Sequence, residues 1–149
     1  MTDLVLRPAL PADYDALAAI WHAGASLPHV GPAALPSVAD LRRRLDAEFA
    51  AGWSVIVALR DDRVVGFAAM KLEEAVLDQL FLDPAAVGGG VGRTLLDAAK
   101  AAMPGGFTLF TRTGNGIARR FYEKAGLVVL REDIHPRFGD PIVYYSWSP

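Results

Sequence analysis

The chain has 149 residues, a formal net charge of −2 at neutral pH and no cysteine. That length suits one domain, 1–149, with a full hydrophobic core, and the charge offers no global attraction to nucleic acid or to an anionic membrane. Without thiols there can be no disulfide framework, no cysteine-ligated metal and no cysteine nucleophile.

The N-terminal stretch MTDLVLRPALPADYD has no charged segment leading into an apolar one, and no apolar run reaches the roughly 18 to 20 residues that span a bilayer, so a soluble, cytoplasmic protein is expected. LVLRPA predicts a strand, and ADYDALAAIWHAGA a helix with Tyr14, Leu17, Ala18 and Trp21 on one face. ASLPHVGPAALPS, with three prolines, is a loop. Ser37 then caps a second helix whose apolar side is Val38, Leu41, Leu45 and Phe49, and whose arginine triplet at 42–44 reads as a face turned to water. WSVIVALR and RVVGFAAMKL form a hairpin through Asp61-Asp62, and EEAVLDQLFLDP is a strand ended by Asp83-Pro84.

GVGRTLLDAAKAAM predicts a helix that opens at a glycine cluster, buries Val91, Leu95, Ala99, Ala102 and Met103, and stops at Pro104-Gly105-Gly106. FTLFT is a strand, NGIARRFYEKAG a helix capped by Asn115 and closed by Gly126, and LVVLRE and PIVYYSW are the last strands. The order βααβββαβαββ implies an α/β fold of α+β type, with about seven strands in a mixed sheet and four helices covering both faces. Its exposed edges leave room for a homodimer.

The glycine cluster VGGGVGRT, 87–94, needs a reason. A GxxxxGK[ST] phosphate loop would require glycine at Val87 and lysine at Arg93, and a GxGxxG fingerprint begun at Gly88 ends on Arg93 with no acidic strand end following. A plain turn would use one glycine, because each is costly to order. What remains is a cradle of successive N–H groups running into a helix N-terminus, suited to a pyrophosphate.

Together, LDQLFLDPAAVGGGVGRTLLDAAKAA and, downstream, NGIARRFYEKAGL resemble the GNAT superfamily of acyl-CoA-dependent N-acetyltransferases. The resemblance covers nearly the whole chain, with one departure: Val87 stands where the family usually has Gln or Arg. It implies a mostly antiparallel sheet whose strands splay to admit the acyl-CoA arm, and acetyl-CoA as acyl donor co-substrate. Backbone groups of Leu80, Phe81 and Leu82 would pair with the pantetheine arm. The amides of Gly88, Gly89, Gly90, Val91, Gly92 and Arg93 would bind the pyrophosphate, and Asn115 would touch the arm from the other side. Arg93, Arg112, Arg119, Arg120 and Lys124 lie around the two motifs and are available to the phosphates of coenzyme A.

Transfer from a thioester needs a neutral amine as nucleophile, a donor to the oxyanion of the tetrahedral intermediate, and an acid for the departing thiolate. Tyr122 is the expected acid, since a phenol titrates near 10 and stays protonated at neutral pH. Its helical phase places it at the margin of a stripe formed by Ala118, Phe121 and Ala125. For the base, the family often has a glutamate at the position of Val76, so Asp78, then Glu73 or Glu74, are the candidates beside a water relay. His22, His29 and His135 lack metal-ligand spacing, so no metal is expected.

The acceptor is a small-molecule or peptide amine, to be read from the loop 25–36 and from DIHPRFGDP, where His29, His135, Arg137 and Phe138 are available. Arg137 would suit a carboxylate-bearing amine; a polyamine would want Glu73, Glu74, Asp133 and Asp140. The competing class is a non-catalytic acyl-CoA-binding sensor or scaffold, and a nucleotide-binding enzyme stands third. Twelve arginines against three lysines, with abundant alanine, point to a GC-rich bacterial genome.

Overall fold

The computed structural model describes residues 3–86 and 88–149. The departure from the family pattern at Val87 therefore lies outside the described residues. The chain forms β1 (Val5–Pro8), α1 (Tyr14–Ala25), α2 (Val38–Ala50), β2 (Ser54–Arg60), β3 (Arg63–Lys71), β4 (Val76–Leu82), α3 (Val91–Ala102), β5 (Phe107–Arg112), α4 (Gly116–Lys124), β6 (Val128–Ile134) and β7 (Pro141–Trp147). This is the order read from periodicity, with single 3-10 turns added at Pro11–Asp13 and Pro84–Ala86.

Local chemistry sets the boundaries. The Ser37 hydroxyl accepts from the Asp40 amide at 3.1 Å, and the Asn115 side chain accepts from the Ala118 amide at 3.1 Å, so each satisfies a first-turn donor of its helix. Asp61 and Asp62 both take left-handed backbone angles, φ 54° and 60°, as a tight two-residue turn between twisted strands requires.

The seven strands lie in the order β1-β2-β3-β4-β5-β7-β6. Every neighbouring pair is antiparallel except β4 and β5, which are parallel and share one register position, Val76 opposite Thr108. From that joint the two strands part. β4 keeps its ladder to β3 on one side and has no strand beside it on the other beyond the joint.

One core lies on each face of the sheet. Under α1 and α2, Leu17, Trp21, Leu41 and Leu45 meet Trp53, Val57 and Phe67; under α3 and α4, Leu95, Leu96 and Ala99 meet Met70, Leu77, Leu109 and Tyr145. The buried stripe of α3 runs through Gly92, Leu95, Leu96 and Ala99, which brings in Leu96 and turns Ala102, expected inside, out to solvent. Val38 is likewise exposed, because it opens the first turn of α2 before the helix reaches the core.

Candidate active site

β4 carries a bulge at the joint. Gln79 faces Ala69 and Leu77 faces Met70, so Asp78 is the unpaired extra residue. A bulge re-aims the side chains on either side of it. Leu77 and Leu80 thus both enter the core beneath α3, while Phe81 enters the core beneath α1. Asp78 is turned into a cavity of about 380 Å³ that fills the opening between β4 and β5. Its carboxylate accepts from the Trp53 indole N–H at 2.9 Å, with the Lys71 ammonium 3.9 Å away.

Tyr122 lines the opposite wall of the same cavity. It does not sit at the margin of α4: among that helix's described residues it is the buried one, with Ala118, Phe121 and Ala125 half-covered on either side. Its ring lies edge-on to Phe121 and 6.1 Å from that of Tyr145. Burial penalises the phenolate and pushes the Tyr122 phenol above its ordinary value, so at neutral pH the group holds its proton.

The edge of β4 from Leu80 to Leu82 forms part of the opening, where unpaired backbone groups can take an extended chain as an added strand. Asn115 lies on the facing side, where its carbonyl caps α4 and its amide reaches Thr111 Oγ1 at 3.4 Å. The glycine loop follows β4. Gly88 and Gly90 have φ of 95° and 77°, conformations that favour glycine, and Gly90 hands the chain into α3. The amides of Val91, Gly92 and Arg93 are first-turn donors that a helix leaves without internal acceptors. At Gly92 a Cβ would meet the Phe121 ring at 3.4 Å, an ordinary contact distance, so α4 packs directly on the first turn of α3.

Sequence reading missed Arg60 at this loop. From the end of β2 it donates to the Gly89 carbonyl at 3.1 Å, holding one face of the loop from below. The basic residues around the motifs divide. Arg93 is exposed and pairs with Asp97 at 3.3 Å, and Arg120 and Lys124 are exposed; Arg119 is engaged by Tyr145 and the Thr113 carbonyl. Arg112 is turned the other way, to Asp140 at 2.6 Å and the Val30 carbonyl at 2.9 Å, and so ties together the two segments expected to shape the acceptor side.

His135, Arg137 and Phe138 line the cavity as expected, whereas His29 stands outside its wall, against Gly114. Glu73 and Glu74 are exposed in the turn before β4. Arg44, read as one of three solvated arginines, instead lies over the Trp21 ring at 5.2 Å and forms part of the cavity wall.

A family model for an acetyltransferase (GNAT) domain matches residues 51–128, a little over half of the chain. Among solved structures, a GCN5-related N-acetyltransferase from Rhodopseudomonas palustris is similar at 26% identity and a TM-score of 0.80, over 100% of this chain and 98% of that one. The ribosomal-protein-alanine N-acetyltransferase of Brucella melitensis is similar at 21% identity and a TM-score of 0.73, over 97% and 99% of the two chains. YncA of Salmonella typhimurium, solved with its cofactor acetyl-CoA, is similar at 17% identity and a TM-score of 0.72, over 97% and 93%. No curated protein matches the chain. With this sheet, this parted pair of strands and this family match, the chain belongs to the GNAT acetyltransferases and is an acyltransferase of that type.

Proposed function

We propose that the protein moves an acetyl group from acetyl-CoA to a primary amine by direct attack, with Tyr122 as the acid and Asp78 as the base. The observation that carries the reading is the single cavity at the β4–β5 opening, with Asp78 on one wall and Tyr122 on the other. The free edge of β4 fits an acyl-CoA arm, and the loop that follows it fits a pyrophosphate. Bound acetyl-CoA supplies the activated acyl carbon.

The protein's own groups do the rest. Backbone of Leu80, Phe81 and Leu82 holds the arm as an added strand. The amides from Gly88 to Arg93 bind the pyrophosphate, with Arg60 keeping the Gly89 carbonyl turned away from it. Asp78, kept in place by the Trp53 indole, takes the proton of the incoming amine. Tyr122 gives its proton to the departing sulfur and regains one from the amine side after transfer.

Tyr122→Phe removes the donor and keeps the ring. Turnover with a competent amine, followed as released thiol, should fall by about a hundredfold or more, while acetyl-CoA still stabilises the variant. An unchanged rate would remove Tyr122 from the chemistry.

A further inference from the structure

The arginine triplet of α2 resolves into three different fates. Arg42 pairs with Asp15 at 2.8 Å and Asp46 at 2.7 Å, and Arg43 pairs with Asp40. Arg44 alone turns inward, its guanidinium over Trp21, and among the described residues no carboxylate lies within ion-pair distance of it. Glu48, one helical turn on, is near enough to favour its charge but is not part of the cavity wall.

The same cavity wall includes a second arginine without an ion pair among the described residues, the exposed Arg137. Its segment is built firmly. Nδ1 of His135 accepts from the amides of Arg137 and Phe138, each at 3.1 Å, and the His135 amide donates to the Asp140 carbonyl at 2.7 Å. Arg112 holds the Asp140 carboxylate. Burial, then the charge of Arg137, work against the charged form of Arg44. Burial and the surrounding arginines also keep His135 below its ordinary value, so it adds no charge at neutral pH.

A half-buried arginine with no ion pair, sharing its cavity wall with a second cation, is costly unless an anion comes to it. With Arg112 paired to Asp140 and Asp78 3.9 Å from the Lys71 ammonium, Arg44 and Arg137 are the charged groups of the wall left without an ion pair among the described residues, and the wall is positive in excess. A neutral amine that also bears a carboxylate brings one negative charge. We infer that the acceptor is a small amine carrying a carboxylate, an amino acid in its chemical class, with the carboxylate held between Arg44 and Arg137 and the amine directed to Asp78.

The same positive excess disfavours the ammonium form and so helps supply the neutral nucleophile. It also rejects a polyamine, whose expected partners are elsewhere: Glu73, Glu74 and Asp133 are exposed, outside the wall, and Asp140 is spent on Arg112. Nor do these arginines serve the cofactor's phosphates, since Arg44 faces the Asp78 end of β4 and the glycine loop follows its other end. The inference rests on the transfer reading above.

The test is thiol release from acetyl-CoA with the twenty L-amino acids, their carboxamides, their decarboxylated amines, spermidine and O-phosphoethanolamine. The best acceptor should carry a carboxylate and exceed its own carboxamide at least tenfold in kcat/KM. Arg44→Met and, in the exposed segment, Arg137→Met should each collapse that preference towards one, Arg44→Lys should restore part of it, and all three should retain stabilisation by acetyl-CoA. A best acceptor without a carboxylate overturns the inference, as does a failure to turn over any carboxylate-bearing amine by a protein that acetyl-CoA stabilises. If acetyl-CoA does not stabilise the unaltered protein, transfer itself is refuted and the inference falls with it.

Discussion

Asp78 and Tyr122 reach the same cavity by different routes, and each route is a property of a few residues. Asp78 is there because β4 bulges at that position; Tyr122 is there because α4 turns its largest side chain inward. Asp78→Asn tests the base while sparing the packing, since an amide oxygen can still accept from the Trp53 indole. We expect kcat/KM to fall by about tenfold to a hundredfold with the unfolding temperature little changed. Full activity would instead favour a relay of water. At this scale the sequence singled out Asn115 as a cap, which it is, and Tyr122 and Asp78 as candidates, both of which line the cavity. Arg44 was hidden because a run of three arginines reads as solvated. Spacing alone does not single it out, because Glu48 lies four positions on from Arg44 just as Asp46 does from Arg42; its place between Leu41 and Leu45, both buried, and its contact with the Trp21 ring do.

Between elements, the fit of α1 over β4 is set by one glycine. A Cβ at Gly24 would stand 2.7 Å from Cδ1 of Phe81, a ring that also lines the cavity. Gly24→Ala should therefore destabilise the fold by about 1–3 kcal/mol, despite alanine's better helix propensity, and should also weaken stabilisation by acetyl-CoA, because the ring has to move towards the opening. Thermal unfolding with and without the ligand measures both effects; a more stable variant would contradict the contact. Periodicity identified every helix and strand here, yet it could not see this packing or the bulge. VLDQLFL has no strict alternation to betray a change of register, and the bulge is decided by what β3 and the two cores accept. The stripe on α4 shows the same limit. With Ala118, Phe121 and Ala125 around it, Tyr122 could be assigned to margin or centre until α3 and β7 closed over it.

On the scale of the whole molecule, the antiparallel strands brace a sheet that, among the described residues, is interrupted at its one parallel pair. Residues of two remote sequence blocks and two loops line one cavity at that interruption. The element order and the positive-φ glycines that open α3 follow from sequence pattern, because both are local in the chain. The charge balance of the cavity does not, because it depends on which arginines find carboxylates across the fold. Among the described residues no helix is long and apolar enough to cross a membrane.

The central claim is that this opening binds acetyl-CoA, and thermal unfolding with acetyl-CoA, with ATP and without ligand tests it most directly. Ligand at a hundredfold excess over its Kd should stabilise the protein by about 2.7 kcal/mol, and acetyl-CoA alone should do so. No shift with acetyl-CoA, or an equal shift with ATP, would contradict the account.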